Sequence, residues 1–179
     1  MAEYSATSRI ASADLIACVE ETMHVATLRY FKREGAFADA VLREAGIPLP
    51  AVLEAREEAQ LIFAWRSPTE TLCVTRSTTR LAELGARLAA CAAGCMVELT
   101  GGLRIVRLTG QRIADLLCRL GGTASAPAPG EAKRSRMADV PVLAISLRAG
   151  ETLLVVDRVH LLHLLAWIRE TLLDFETSR

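Results

Sequence analysis

The amino-acid sequence predicts an α+β fold built from two similar lobes, each with the order strand, helix, strand, strand, helix. Two observations lead to this prediction: an internal repeat, and hairpin-length turns between short apolar segments, which exclude parallel pairing of sequence neighbours. The composition suits a globular protein, because 51% of the 179 residues are hydrophobic and 23% are charged. We therefore expect mostly antiparallel sheets with helices packed against them.

The repeat consists of two pairs of matching blocks. The first pair ends in a glycine that can cap a helix, and the second pair holds Glu-Thr-Leu at the same place in both copies. Such self-similarity indicates that one supersecondary unit occurs twice. The blocks are 37–46 with 113–122, offset by 76 residues, and 61–75 with 142–156, offset by 81 residues.

The first lobe is predicted over residues 23–94, after an N-terminal segment of residues 1–22. Apolar and β-branched residues favour its strands, and apolar residues at helical spacing before Gly46 favour a capped helix. Pro68 presets a turn between two short strands, and a leucine stripe then predicts a longer helix that stops at Gly94. The predicted elements are strand 24–31, helix 36–45, strands 61–66 and 71–75, and helix 78–93.

The second lobe is predicted over residues 95–179 in the same order. Gly101-Gly102 is a two-residue hairpin signal, and Gly121 is placed to cap a helix. The last helix is apolar over most of its circumference, which indicates that it is covered on more than one side. The predicted elements are strands 95–100 and 103–108, helix 111–120, strands 140–147 and 151–157, and helix 159–175.

Residues 121–138 are rich in Ala, Gly, Ser and Pro and become basic at Lys133, Arg134 and Arg136. Two interpretations stay open, a solvated loop and a partner-contacting arm that is mobile in the free chain. In an extended backbone Arg134 and Arg136 lie on one face, where two guanidinium groups suit carboxylates on a partner surface.

Composition excludes several classes of function. Net charge is zero, whereas a non-specific nucleic-acid binder needs a positive field. No apolar run is long enough to span a bilayer, and the N-terminus lacks the pattern of a signal peptide. Five cysteines at irregular spacing predict reduced, mostly buried thiols in a cytoplasmic protein. We expect neither nucleic acid nor membrane as a partner.

No constellation of catalytic residues is recognisable. His160 and His163 lack a third metal ligand at a known spacing, and Cys91 and Cys95 are expected to pack on one face of a helix. The glycine pairs do not match phosphate-binding loops, and no nucleophile elbow occurs. We therefore predict no catalytic, cofactor or metal site in this chain.

One hairpin motif resembles a known family. Residues 65–70, with the pattern W-x-x-P-x-E, resemble the hairpin of the sarcosine oxidase gamma-subunit family, a divergent relative of the glycine-cleavage aminomethyltransferases. Residues 134–142 resemble the basic arm of that family, and residues 153–168, including Trp167, resemble its closing strand and helix. The resemblance covers about residues 60–175 and implies an aminomethyltransferase-like fold.

The resemblance also implies a function. The chain would be a non-catalytic gamma-type subunit of a four-subunit flavin-dependent oxidase or dehydrogenase of N-methyl amino acids, of sarcosine oxidase or N-methylglutamate dehydrogenase type. Its partners would be larger flavoprotein and aminomethyltransferase-like subunits. Those partners would hold FAD, FMN and tetrahydrofolate, with NAD and zinc as further candidates, for demethylation in one-carbon metabolism. The expected partner interface comprises Trp65, Pro68, Lys133, Arg134, Arg136, His163 and Trp167.

Alternatives remain at this point. The chain could instead be a stand-alone binder of tetrahydrofolate or a one-carbon adduct, or an unrelated homodimeric binding module. Trp65 itself has two interpretations, a core-filling side chain or an interface anchor.

Overall fold

The computed structural model describes residues 9–12 and 14–177. They form eleven strands, four α-helices and two 3₁₀ turns, at Thr123–Ser125 and Arg158–His160. None of the described helices combines the length and apolarity that crossing a membrane requires. The strands are β1 Arg9–Ala11, β2 Leu15–Val19, β3 His24–Tyr30, β4 Ala55–Glu58, β5 Leu61–Ser67, β6 Glu70–Thr75, β7 Gly94–Glu98, β8 Leu103–Gly110, β9 Glu131–Met137, β10 Val140–Arg148 and β11 Glu151–Asp157. The helices are α1 Ala36–Ala45, α2 Thr78–Leu88, α3 Ile113–Gly121 and α4 Leu161–Thr177.

The chain divides into two compact units. Unit 1 contains the described residues up to Glu21, Leu103–Pro129, and the chain from Lys133 onward. Unit 2 contains Thr22–Gly102 and Gly130–Ala132. This division differs from the expected lobes at three points, the first being that Gly130–Ala132 of the expected second lobe belong to unit 2. β7 pairs with β3 and so extends unit 2 to Gly102, and the N-terminal segment forms β1 and β2, which add to the sheet of unit 1. Residues 1–8 of that segment lie outside the described residues.

Unit 2 is a five-stranded sheet in the order β4-β5-β6-β3-β7. Its registered pairs are all antiparallel, and α1 and α2 supply side chains to the same buried core, including Phe37, Val41, Leu81 and Leu84. α1 ends at Gly46, whose φ of 78° is the left-handed conformation of a helix-capping glycine, as predicted.

The second helix of unit 2 is shorter than expected. α2 ends at Leu88, and the chain becomes strand β7 from Gly94, so Cys91 and Cys95 do not share a helix face. The alanine-rich segment between them favours helix, but pairing of β7 with β3 overrides that preference. A Cβ atom at Gly94 would lie 2.5 Å from the ring of Phe37, so this close approach requires glycine.

Unit 1 is a six-stranded sheet in the order β1-β2-β8-β11-β10-β9. α3 and α4 join its strands in a second buried core that includes Leu116, Leu154, Leu164 and Ile168. The predicted hairpin at Gly101-Gly102 is wrong. β7 and β8, which flank these glycines, lie in different sheets, so Gly101-Gly102 leads from one unit to the other.

The two units confirm the predicted α+β fold of similar lobes with antiparallel sheets. Strands β4-β5-β6-β3 of unit 2 correspond to β9-β10-β11-β8 of unit 1. Both hairpins have an irregularity at the same place, between Trp65 and Ser67 and between Ser146 and Arg148. These positions lie 81 residues apart, the offset of the second sequence block.

Besides β1 and β2, the sequence did not predict one strand at the equivalent place in each unit, β4 in unit 2 and β9 in unit 1. Both are followed by two residues with left-handed backbone, Ala59 and Gln60 after β4, and Ala138 and Asp139 after β9. Neither the solvated-loop nor the mobile-arm interpretation of residues 121–138 is correct for β9, because Glu131–Met137 is paired in the sheet of unit 1 next to β10.

Candidate interaction surface

The exposed side of helix α4 carries large apolar side chains. Leu162 is 57% exposed, Trp167 51% and Leu173 51%, and Val159 in the preceding 3₁₀ turn is 83% exposed. The opposite side of α4 enters the buried core of unit 1 through residues such as Leu164 and Ile168. The helix therefore buries one apolar side and exposes large apolar residues among charged ones, such as Arg169 and Glu170, on the other.

Contacts at the C-terminal end of α4 hold the helix in place. The guanidinium groups of Arg112, which precedes α3, and of Arg119 in α3 lie 4.0 and 4.9 Å from the centre of the Phe175 ring, a geometry that attracts a cation to an aromatic face. The hydroxyl of Thr171 donates a hydrogen bond to the carbonyl of Trp167 at 2.8 Å. The exposed apolar side chains therefore project from an anchored helix.

The turn between β9 and β10 lies beside the first turns of α4. His163 Nε2 donates to the carbonyl of Ala138 at 2.8 Å, and the guanidinium of Arg136 donates to the carbonyl of Asp139. The His163 and Trp167 rings form an edge-on pair with centroids 6.5 Å apart. The structure thus brings together three of the residues predicted for an interface, Arg136, His163 and Trp167.

This turn has an unusual backbone. Ala138 and Asp139 have φ of 49° and 62°, values that glycine and asparagine adopt more readily than alanine. The Ala138 N–H donates to the Leu120 carbonyl at the end of α3 at 2.8 Å. Hydrogen bonds from α3, α4 and β9 therefore fix the turn in a conformation that its own residues do not favour.

The basic segment of β9 does not act as one group. Arg134 and Arg136 are both exposed and lie two residues apart on a strand, so they share a face. The ammonium of Lys133 instead donates to the carbonyl of Ala126 at 3.2 Å. The α4 surface consists of Val159, Leu162, His163, Trp167 and Leu173. Arg134 and Arg136 lie on the face of β9 opposite to Met137, whose side chain packs in the core with α4, so they are not part of this surface, although Arg136 reaches the adjoining turn.

The other two predicted interface residues, Trp65 and Pro68, belong to unit 2. Trp65 is half-buried, lies opposite Thr71 in the hairpin, and donates its backbone N–H to the Glu54 carbonyl at 2.9 Å. It is not part of the described buried core of unit 2, and Pro68 is exposed in the turn. The position of Trp65 therefore matches neither a fully buried core residue nor a freely exposed anchor.

Sequence reasoning missed a buried ion cluster in unit 1. Arg107 Nε lies 2.5 Å from Glu20 Oε1, and its guanidinium also contacts Glu151, which in turn contacts Arg148. Glu151 is the residue that coincides with Glu70 in the repeat, and Glu70 likewise pairs with Arg29, at 2.9 Å. The sequence signal for this cluster was the glutamate that recurs in the repeat at the first position of β6 and of β11.

The cysteines differ in their surroundings. Burial raises the pKa of the Cys73 thiol from its ordinary value of 9.0 to about 12. The expectation of mostly buried thiols is wrong, because only Cys73 is buried, while Cys18, Cys91 and Cys118 are partly exposed. Cys95 is exposed because it lies on a terminal strand rather than on a helix. Within residues 9–12 and 14–177, no three His, Cys, Asp or Glu side chains are placed to hold a metal ion.

Comparison with known structures reveals the fold relationship. The chain is similar to a chain of the heterotetrameric sarcosine oxidase from Corynebacterium sp. U-96, with 18% identity, a TM-score of 0.81, and coverage of 94% of this chain and 89% of that chain. It is also similar to the glycine cleavage system aminomethyltransferase T from Bartonella henselae, with 15% identity and a TM-score of 0.57. There the match covers 86% of this chain and 45% of that chain. No protein-family model and no curated protein sequence matches this sequence. The chain therefore has an aminomethyltransferase-like fold.

Proposed function

We propose that this chain is a non-catalytic, gamma-type structural subunit of a heteromeric, four-subunit flavin-dependent oxidoreductase that acts on N-methyl amino acids. The complex would be of the sarcosine oxidase or N-methylglutamate dehydrogenase type. Support comes from the fold similarity to a chain of heterotetrameric sarcosine oxidase, which extends over 94% of this chain and 89% of that chain. Nearly complete coverage of both chains suits the role of a whole subunit.

In this proposal the chain positions its partners and does not carry out the chemistry. FAD, FMN and tetrahydrofolate, with NAD and zinc as further candidates, would belong to the larger flavoprotein and aminomethyltransferase-like subunits. This chain would contribute a docking surface, and the α4 surface is the candidate that the geometry supports best.

The observation that carries the proposal is the exposed apolar side of α4. Large exposed apolar side chains on one helix are candidates for contact with a partner, and buried interface centres are rich in Trp and Arg. Trp167 is 51% exposed, so about half of a tryptophan contact area of up to about 250 Å² remains for a partner. At about 25 cal/mol per Å², its burial would stabilise the complex by about 3 kcal/mol. Arg134 and Arg136, exposed on β9, are also predicted for the interface and suit carboxylates of a partner.

Co-expression with candidate flavoprotein and aminomethyltransferase-like subunits tests the proposal. The double variant Leu162→Ser/Trp167→Ala should reduce the amount of this chain that co-purifies with the large subunits at least tenfold. A matched control is Phe31→Ser, which changes a 90% exposed apolar residue of unit 2. Thermal unfolding of all three chains should be similar, since the altered side chains are largely exposed.

Two results would contradict the proposal. Wild-type chain that never co-purifies with any flavoprotein would exclude the subunit role. Saturable micromolar binding of tetrahydrofolate to the isolated chain, measured by calorimetry, would support the stand-alone folate binder instead. Normal assembly of the double variant would leave the subunit role in place and move the interface away from α4.

A further inference from the structure

Strand β7 is a terminal strand whose outer edge has no partner in the part of the chain that the structure describes. The internal repeat makes this position informative. In unit 1, the strand that occupies the equivalent place beside β8 is β2, and β1 covers its outer edge with antiparallel pairing. In unit 2, β7 takes the place of β2, but no described strand takes the place of β1.

The other sheet edges carry the features by which proteins prevent edge-to-edge association. β4 has the sequence AREE with three charged residues, β9 has EAKRSRM with four, and β1 is three residues long. Charged side chains and short length both discourage pairing of an edge with another chain. β7 has the sequence GCMVE, without proline or a basic residue and with its single charge at the last position. It is the least protected of the four terminal strands.

The backbone groups of β7 that face outward follow from one hydrogen bond. The Leu99 N–H donates to the Val25 carbonyl of β3 at 2.7 Å, so residues of odd number here point their N–H and C=O groups toward β3. Because these groups alternate along a strand, Gly94, Met96 and Glu98 direct theirs toward the open edge. β7 therefore offers three successive residues for pairing with another strand.

We propose that β7 pairs antiparallel with β7 of a second copy of this chain, in the register centred on Met96. In that register Met96 faces its own equivalent, and Gly94 faces Glu98 of the second copy, in the hydrogen-bonded positions. Cys95 faces Val97 of the second copy in the positions between them. The sheets of the two copies then form one continuous sheet with a two-fold axis at Met96.

The residues of β7 are self-complementary in this register. Glu98 meets a glycine, so the two carboxylates do not face each other, and like charges directly opposite would be destabilising. The side chains that meet, Cys95 and the 39% exposed Val97, are small and apolar. The register therefore buries apolar surface and pairs the backbone groups of the open edge, and it places no two like charges opposite each other. This pairing concerns the chain by itself and does not depend on its membership of an oxidoreductase complex.

Reciprocal charge variants test the register. We expect wild-type full-length chain to show a concentration-dependent dimer by sedimentation velocity. Cys95→Lys/Val97→Lys and Cys95→Glu/Val97→Glu should each raise the dimer dissociation constant at least tenfold, because like charges then face each other. An equimolar mixture of the two variants should form a heterodimer. Leu162→Lys/Leu173→Lys on α4 is the control and should leave the dimer unchanged.

Disulfide cross-linking tests the register directly. Val97→Cys places a thiol opposite Cys95 of the second copy, at a spacing that a disulfide can bridge, so oxidation should give a covalent dimer. Val97→Cys combined with Cys95→Ser should give none. The proposal is overturned if the wild-type chain stays monomeric at all concentrations, if the α4 control abolishes the dimer, or if the two charge variants do not associate when mixed.

Discussion

Removal of the Arg107 guanidinium should destabilise unit 1 strongly. Arg107 projects from β8, and its side chain is 18% exposed where it contacts Glu20 and Glu151, which are 13% and 8% exposed. The variant Arg107→Met keeps the length and apolar stem of the side chain but leaves both carboxylates without this cation. Glu151 keeps only Arg148, whose side chain is 68% exposed.

The size of the effect follows from burial. Removing one partner of a buried ion pair costs about 3–5 kcal/mol, because an uncompensated charge remains. Since Glu151 keeps one cationic contact, we expect the lower end, about 3 kcal/mol. For a chain of this size that loss corresponds to a decrease in Tm of about 6–12 °C.

Urea and thermal unfolding measure this effect, and unit 2 supplies a matched control. Arg29 of unit 2 also pairs with a glutamate, Glu70, at 2.9 Å, but its side chain is 56% exposed, so Arg29→Met should cost at most about 1 kcal/mol. Adding Glu20→Gln and Glu151→Gln to Arg107→Met should recover at least half of the lost stability, because the amides carry no charge. A loss no larger than that of Arg29→Met, or no recovery in the triple variant, would refute the reasoning.

Gly94→Ala should lower stability by more than about 1 kcal/mol, since its Cβ would lie 2.5 Å from the Phe37 ring, whereas Gly101→Ala meets no atom within 4 Å and should change little in thermal unfolding. Cys95 should react with a thiol reagent in the folded chain, and Cys73, with its pKa near 12, should react only after unfolding. Between pH 9 and about 12 the Cys73 thiol is ionised in the unfolded chain but stays protonated in the folded chain, so the free energy of unfolding falls as pH rises. Cys73→Ala should remove that part of the pH dependence. A variant with the same pH profile as the wild type would contradict this assignment.

Turn and helix-capping residues correctly predicted the elements that they delimit. The hairpin around Pro68 and the helix ending at Gly46 lie where turn and capping residues placed them. β4 and β9 were missed because their residues are mostly charged and the turns that follow them begin with alanine, which favours neither a turn nor a left-handed backbone. Their strands form because β5 and β10 offer edges to pair with, which the local sequence does not encode.

The candidate surface was predictable only in part. His163 and Trp167 share a face by helical spacing, so their proximity follows from the sequence. Their contact with the turn that follows Arg136 does not, because it joins residues 25 positions apart, as in the hydrogen bond from His163 to Ala138. Gly101-Gly102 predicted a hairpin that does not form. The local pattern favours a two-residue turn, but β7 pairs with the distant strand β3 instead of with β8.

Comparison of the two repeated units shows which exposed residues of their helices the fold itself requires. Helices α2 and α4 occupy equivalent places in the two units, because α2 follows β6 and α4 follows the corresponding strand β11. Both bury leucines in their cores, yet the exposed side of α2 consists of small and charged residues, such as Ala82, Glu83 and Arg87. The exposed side of α4 also carries charged residues, such as Arg169 and Glu170, but adds the large apolar Leu162, Trp167 and Leu173. Because α2 forms without exposed large apolar residues, the fold does not require them on α4, which leaves these side chains available for the partner contact that we propose.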